Sequence, residues 1–236
     1  MQIDKIINIL TSNAPEESQE EWDNSGWQIF PNDFSKDIKK VLICLSLTKD
    51  VLNQAKKENC ELIISHHPFL FPHAVPIDFN INIPIYSAHT NLDKADFGTT
   101  NTLIKTLSYN NIKSHEDFLR YVDLEQETDL KTIIANIKTK LNLDTIRIAN
   151  NANIQKIKRI AFCAGSGTEF LQDTETINAQ ILVTGDVKYH TALESNDIII
   201  DIGHFESEKP VLNTIKQMLS EIEVIIADEK SPFINY

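Results

Sequence analysis

The alternation of apolar and polar positions along the chain predicts strands and helices in turn. Apolar residues recur at helical spacing over residues 3–12, 48–58, 98–107, 129–141, 187–194 and 207–222, and another helix is predicted to begin at residues 168–172. Continuous apolar runs typical of buried strands occupy residues 40–47, 61–65, 83–88, 157–163, 179–183, 197–202 and 224–227. Strands that alternate with helices in this way predict an α/β fold.

The apolar pattern is weakest over residues 110–128. This stretch predicts a boundary that divides the chain into two lobes, approximately residues 1–115 and 125–236. A length of 236 residues fits one large domain or two such lobes, since domains average roughly 150 residues.

The composition of the chain indicates which classes of partner are disfavoured and in which cellular compartment the protein is expected. The chain has 22 basic and 34 acidic residues, and its formal charge of −12 disfavours binding to nucleic acid or to an anionic membrane. No apolar run reaches the length of a spanning helix, and the first residues lack the basic segment of a signal peptide. The three cysteines are far apart, which fits structural thiols in a reducing compartment. These features predict a cytoplasmic protein.

Histidines and carboxylates follow three of the predicted strands. Ligands of open α/β sheets bind beyond the carboxyl ends of the strands, so the three segments are candidates for one location. The residues are His66 and His67 after the strand at 61–65, His89 and Asp93 after the strand at 83–88, and His204 and Glu208 after the strand at 197–202.

These residue types suit a divalent metal ion such as Zn, Mn, Fe or Ni. Three histidines and two carboxylates are more ligands than a single open zinc site uses. This number fits two ions that share one bridging carboxylate. Adjacent side chains of an extended strand point to opposite sides, so His66 and His67 either hold different ions or are brought together by a turn. The alternative is a set of ordinary strand-end histidines with local hydrogen bonds.

Two later segments also follow predicted strands and carry candidate substrate-binding or catalytic residues. Backbone N–H groups that precede a helix attract phosphate, although a plain strand-to-helix turn explains the first segment equally well. Charged residues of the second segment fit substrate contact or proton transfer, and a capped helix with a solvated face is the alternative. The first segment contains Gly165, Ser166 and Gly167, and the second contains Asp186, Lys188 and His190.

Both tryptophans lie near the N-terminus and flank a turn of polar residues. Trp22 and Trp27 enclose Asp23, Asn24, Ser25 and Gly26. The pair forms either the rim of a pocket, in which Asp23 would contact substrate, or the lid of the core above a turn.

The chain resembles the Nif-three-like family in six ordered segments, WDNSGW, SHHPF, SAHTNLD, CAGSG, TGDVKYH and GHFESE. The matches span residues 22–208, and the chain resembles the short bacterial form, which lacks an inserted middle domain. The resemblance implies two similar α/β lobes with a dinuclear metal site in the cleft between them, and homohexamers built from dimers. The metal ligands that it implies are His66, His67, Asp93, His204 and Glu208, with His89 as a neighbouring group.

Bacterial members of this family are commonly named GTP cyclohydrolase I type 2 homologues. The resemblance therefore implies a hydrolase in which a metal-bound hydroxide attacks the purine ring of GTP, opens it at C8 and releases formate. The acid–base candidates are His89, Asp186 and His190, and the triphosphate candidates are Lys188 and the glycine turn. Two alternatives stay open, a two-metal phosphoester hydrolase and a metal-handling or regulatory interaction factor without turnover. Glu206, an additional carboxylate beside the ligands, has no role that the sequence assigns.

Overall fold

The computed structural model describes residues 1–69 and 81–233, which form a mixed α/β fold with two sheets. The chain divides into two units. The first unit comprises Met1–Gly98 and Val211–Lys230, and the second comprises Thr99–Pro210 with residues 231–233.

Within the described residues, eleven strands and nine α-helices follow one another along the chain. The strands are β1 (Gly26–Ile29), β2 (Lys40–Cys44), β3 (Leu62–Ser65), β4 (Ile85–Ser87), β5 (Lys113–His115), β6 (Leu119–Asp129), β7 (Arg147–Ala149), β8 (Lys156–Phe162), β9 (Ile181–Thr184), β10 (Ile198–Asp201) and β11 (Glu223–Ile226). The helices are α1 (Ile3–Thr11), α2 (Lys49–Lys57), α3 (Thr90–Lys94), α4 (Thr99–Thr106), α5 (Leu130–Leu141), α6 (Leu171–Thr176), α7 (Tyr189–Glu194), α8 (His204–Glu208) and α9 (Val211–Met218), with 3₁₀ turns at Glu16–Ser18 and Thr168–Phe170.

The sheet of the first unit has the order β1-β4-β3-β2-β11. All neighbours are parallel except β1, which pairs antiparallel with β4. The central strands β2, β3 and β4 are almost fully buried, which explains their continuous apolar runs. Ser65 of β3 lies opposite Ser87 of β4, so these two strands end at the same level of the sheet.

The sheet of the second unit has the order β5-β6-β8-β9-β10-β7. Its central strands β8, β9 and β10 are parallel, and antiparallel strands flank them on both sides. Thr184 of β9 lies opposite Asp201 of β10, so the segments after these strands also begin side by side. The core of this unit packs α4 and α5 against the sheet through residues such as Ile104 and Ile137.

The division into units differs from the predicted lobes of residues 1–115 and 125–236. Helix α4 belongs to the second unit, because its Leu103 and Ile104 are buried in the core of that unit. The C-terminal segment returns to the first unit, where β11 pairs in parallel with β2. A single boundary placed in the sequence cannot describe a unit that consists of two segments distant along the chain.

Two other expectations differ from the structure. The polar stretch at residues 110–128, where the lobe boundary is predicted, contains β5 and β6 and lies inside the second unit. Strand β5 and the second half of β6 are largely exposed, so no continuous apolar run marks them. The single helix predicted over residues 207–222 is two helices, α8 and α9. They are separated at Pro210, which lacks the N–H of a helix interior.

The remaining predicted strands and helices are confirmed to within a few residues at their ends. Helix α2 begins after Thr48, whose side chain accepts a hydrogen bond from Val51 N and so caps the first turn. None of the helices in residues 1–69 and 81–233 is long and apolar enough to cross a membrane.

The pairing of β6 with β8 contains a carboxylate whose charge contributes to stability. Hydrogen bonds from Arg159 and Lys113, each 2.7 Å long, lower the pKa of Asp123 from 3.8 to about 2. A pKa that is lower in the folded state stabilises the protein above the unfolded pKa, and this contribution is lost as the pH falls toward the folded value.

Asp123→Asn is therefore expected to lower the free energy of unfolding at pH 6 by up to about 1 kcal/mol, since the pair is partly exposed. The difference from wild type should shrink as the pH falls from about 4 toward 2, as measured by urea unfolding. Asp129→Asn, which removes an exposed pair with Lys156, is the control and should change stability very little. A difference for Asp123→Asn that is equal at pH 6 and at pH 2.5 would contradict this account.

Candidate metal centre

Three histidines of the first unit are brought together by the aligned ends of β3 and β4. His66 and His67 follow Ser65, and His89 lies two residues after Ser87, its register partner. The hydroxyl groups of Ser65 and Ser87 are 2.7 Å apart, which ties the two strand ends together. Because β3 and β4 end opposite each other, the imidazole rings that follow them lie close together.

The three imidazole rings form a close group. Ring centroids lie 4.9 Å apart for His66 and His67, 5.1 Å for His66 and His89, and 5.5 Å for His67 and His89. One nitrogen of each ring lies within 4.8 Å of the corresponding nitrogens of the other two. His66 and His67 lie directly after the end of β3 at Ser65, and their rings lie side by side although the residues are adjacent in sequence. Whether the two rings hold one ion or different ions stays a prediction.

Hydrogen bonds at Nδ1 orient these rings. His66 Nδ1 donates to the carbonyl oxygen of Ala88 over 2.8 Å, because a carbonyl can only accept. His67 Nδ1 lies 2.8 Å from Ser46 Oγ. A neutral ring that donates from Nδ1 carries its lone pair on Nε2, which is the form that binds a metal ion. The donor set of this group therefore fits a divalent ion of borderline softness.

Asp23 holds the third ring. Its Oδ1 accepts from His89 Nδ1 over 2.8 Å, and its Oδ2 accepts from the backbone N–H of Thr90 over 3.0 Å. Burial alone would raise the pKa of Asp23, but the hydrogen bonds from His89 and Thr90 outweigh it and hold the pKa well below its ordinary value. The side chain of Asp23 is 0% exposed, so in this conformation it has no oxygen with which to make the predicted contact with substrate.

Asp93 lies beside the same group. It belongs to α3, the short helix that begins directly after His89. Its Oδ1 is 3.6 Å from His66 Nε2. The first unit thus presents a carboxylate oxygen and an imidazole nitrogen close together, which is the combination predicted for a metal ligand pair.

In the second unit, His204 and Glu208 form the other predicted ligand pair. They occupy the first and last positions of α8, and His204 Nε2 lies 3.1 Å from Glu208 Oε2. Asp186 Oδ2 accepts from His204 Nδ1 over 2.7 Å. Burial lowers the pKa of His204, but hydrogen bonds and charge attraction from Glu208 and Asp186 outweigh it and raise the pKa to about 9. A metal ion bound at Nε2 would displace the proton held there.

Asp186, a predicted acid–base residue, therefore orients the ring of His204, a predicted ligand. It carries a positive φ of 54° just after β9, which turns the chain so that its carboxylate reaches His204. This arrangement is the usual support of a metal-binding histidine, in which a carboxylate fixes the ring and its tautomer.

The glycine turn does not offer the phosphate site that its sequence suggests. The N–H of Gly165 donates to Ser207 Oγ over 2.8 Å, and the N–H of Gly167 donates to Thr184 Oγ1 over 2.8 Å. Both donors are therefore used inside the second unit, and the expectation that they bind phosphate is corrected. Ser166 between them is exposed.

The other predicted residues of the second unit lie on its surface or away from the ligand pair. Lys188 and His190 are exposed, and the ring of His190 contacts that of Tyr189 at 5.3 Å. Glu206 folds back against the start of its own helix, so that a Cβ placed on Gly203 would overlap its carboxylate. The structure therefore gives Glu206 a local position at the N-terminus of α8.

Sequence reasoning missed Ser46, whose hydroxyl contacts His67. Ser46 follows β2, the parallel neighbour of β3, so the rule that selected the histidines at strand ends also points to it. The carboxylate of Glu229 holds this segment by accepting from Leu45 N over 2.7 Å and from Ser46 N over 2.8 Å.

Known proteins resemble the chain over nearly its whole length. A family model described as Duf34/NIF3 (NGG1p interacting factor 3) matches residues 1–232. The GTP cyclohydrolase 1 type 2 homolog of Clostridium perfringens is 35% identical over an alignment that covers 99% of each protein. The NGG1-interacting factor 3 of Saccharomyces cerevisiae is 27% identical, with 94% of this chain and 91% of the yeast protein covered. The crystal structure of a hypothetical protein of Staphylococcus aureus superposes with a TM-score of 0.85 at 25% identity and covers 100% of this chain and 99% of that chain.

Proposed function

Because the chain belongs to the Duf34/NIF3 family, we propose that it is a dinuclear metal-dependent hydrolase of the GTP cyclohydrolase I type 2 class. The observation that carries the proposal is the pair of predicted ligands His66 and His67, whose ring nitrogens lie within 4.8 Å of each other and of the predicted acid–base residue His89. The name of the Clostridium perfringens relative supports a purine nucleotide as the substrate.

In this proposal, the protein binds two divalent metal ions. The ligands would be His66, His67, Asp93, His204 and Glu208. Supporting contacts come from Ala88 O, Ser46 Oγ and Asp186, which orient three of these imidazoles. When bound, the ions would supply Lewis acidity and would make water a stronger nucleophile at neutral pH.

The side chains around the ions have separable tasks. His89 would hold or move a proton at Nε2 during attack on C8 of guanine, because Asp23 keeps its other nitrogen protonated. The exposed ammonium group of Lys188 would contact the triphosphate. His190 stays a candidate for proton transfer.

The experiment is a formate assay with GTP. Protein loaded in turn with Zn, Mn, Fe(II) or Ni is expected to release formate and a pterin precursor with at least one metal, to lose this activity with a chelator, and to regain it on reloading. A phosphodiester substrate in parallel tests the two-metal phosphoester hydrolase. Protein with two bound ions that releases neither product from GTP would contradict the proposal.

A second candidate function is favoured by the name of the yeast relative, an interacting factor. A metal-handling or regulatory protein of this kind would hold its metal weakly, would lack affinity for nucleotides, and would retain a protein partner during purification. Two ions that persist through dialysis would argue against it. The homohexamer implied by the family stays a prediction, which light scattering would test.

A further inference from the structure

Trp22 is an exposed aromatic residue at the edge of the histidine group. Its side chain is 60% exposed, although indole burial would stabilise the fold. The indole ring lies 6.1 Å from the ring of His89 at an interplanar angle of 77°. Through His89 it is one ring away from His66 and His67.

The other tryptophan of the same segment shows what a packed indole looks like in this unit. Trp27 lies on β1, where its ring packs against Tyr86 at 5.4 Å and against Phe34 at 5.6 Å. Its side chain is therefore part of an aromatic layer over the sheet. Of the two roles that the sequence left open for the tryptophans, packing over the core describes Trp27, whereas Trp22 is exposed.

Four carboxylates precede Trp22 within six residues of sequence, and they indicate which part of a nucleotide this segment would accept. Two of the neighbouring carboxylates are engaged, Glu16 by the hydroxyl of Tyr86 at 2.7 Å and Glu20 by the ammonium group of Lys94 at 2.7 Å. Glu17 and Glu21 are exposed. Exposed carboxylates repel phosphate, so this surface suits the uncharged heterocycle of a nucleotide rather than its triphosphate.

We propose that Trp22 is the stacking platform for the purine base of the substrate. Resting on the proposed function, this inference names the residue that would place the imidazole ring of guanine beside His89. The base would stack on an indole whose centroid lies 6.1 Å from that of His89, and stacked aromatic rings have centroids about 4.5–7 Å apart. Base–aromatic stacking is tolerant of the identity of the base, so Trp22 favours ligands that carry a base over a bare polyphosphate.

The test is equilibrium binding of GTP, measured by calorimetry and by tryptophan fluorescence on the protein as purified. Trp22→Ala is expected to weaken GTP binding by about tenfold or more, whereas Trp22→Phe keeps an aromatic face and most of the affinity. Tripolyphosphate, which has no base, should bind Trp22→Ala and wild type equally. In Trp27→Phe, where Trp22 is the remaining tryptophan, GTP should still quench fluorescence, and in Trp22→Phe the quenching should be lost.

Several results would overturn the inference. The first is equal GTP affinity in wild type and Trp22→Ala, and the second is fluorescence quenching that is lost in Trp27→Phe but kept in Trp22→Phe. The others are a changed oligomeric state in Trp22→Ala and a wild type that does not bind GTP. Because the readout is binding, its failure is distinguishable from failure of the proposed function. Formate release with unchanged binding in Trp22→Ala rejects only the platform, and Trp22-dependent binding without formate release rejects only the hydrolase.

Discussion

Replacing Glu208 with glutamine is expected to lower the metal affinity of the protein by more than about 100-fold. Groups that merely support metal ligands are worth about 10- to 100-fold in affinity, so loss of a direct carboxylate ligand should cost at least as much. Glutamine has nearly the shape of the buried Glu208 side chain, so the fold should be retained. The measurement is the number of ions per chain after dialysis, by elemental mass spectrometry.

Glu206→Gln is the matched control for this substitution. Glu206 belongs to the same helix and loses the same charge, but its carboxylate folds back toward Gly203. This variant should keep the metal content of the wild type. The ligand assignment is wrong if Glu208→Gln also keeps the wild-type number of ions.

Gly165→Ala is expected to reduce both stability and metal content. Gly165 has a φ of +73°, a conformation that costs a residue with a side chain about 1–3 kcal/mol. In addition, a Cβ at this position would overlap Glu208 Oε1, so the carboxylate has to move away from its place beside His204. Urea unfolding measures the first effect, and metal content after dialysis measures the second.

Gly26→Ala separates the two effects. Gly26 also has a positive φ, of +108°, but a Cβ there would have its nearest contact at an ordinary 3.4 Å from Glu16. This variant should lose stability through backbone strain while it retains metal. If Gly165→Ala likewise loses only stability, Gly165 does not determine where the carboxylate of Glu208 lies.

The sequence predicted the elements that bury continuous apolar faces. Strands such as β3 and β9 are buried along their whole length, so their apolar runs report the structure directly. The same reasoning selected His66, His89 and His204, because each follows the carboxyl end of a predicted strand, where ligands of open α/β sheets bind. What the sequence could not supply is the register, Ser65 opposite Ser87, that brings the imidazoles to one level.

The features that escaped prediction depend on contacts distant in sequence. Asp23 and His89 form their hydrogen bond across many residues, and the sequence pattern suggested only a turn or a pocket rim. From the sequence, the N–H groups of Gly165 and Gly167 are available to phosphate, but in the structure they donate to the hydroxyl groups of Ser207 and Thr184. The sequence does not indicate whether a hydroxyl group distant along the chain will accept a hydrogen bond from a backbone N–H at a turn.

The return of the C-terminal segment to the first unit has a consequence for biosynthesis. Strand β2 is made early but acquires its neighbour β11 only after residues 99–210, the main part of the second unit, have been synthesised. At about 5–20 residues per second, the open edge of β2 waits on the order of ten seconds for its partner. During that time it presents unpaired backbone groups to other nascent chains. The nascent protein is therefore exposed to mispairing at the sheet of the first unit, which also carries the histidine group.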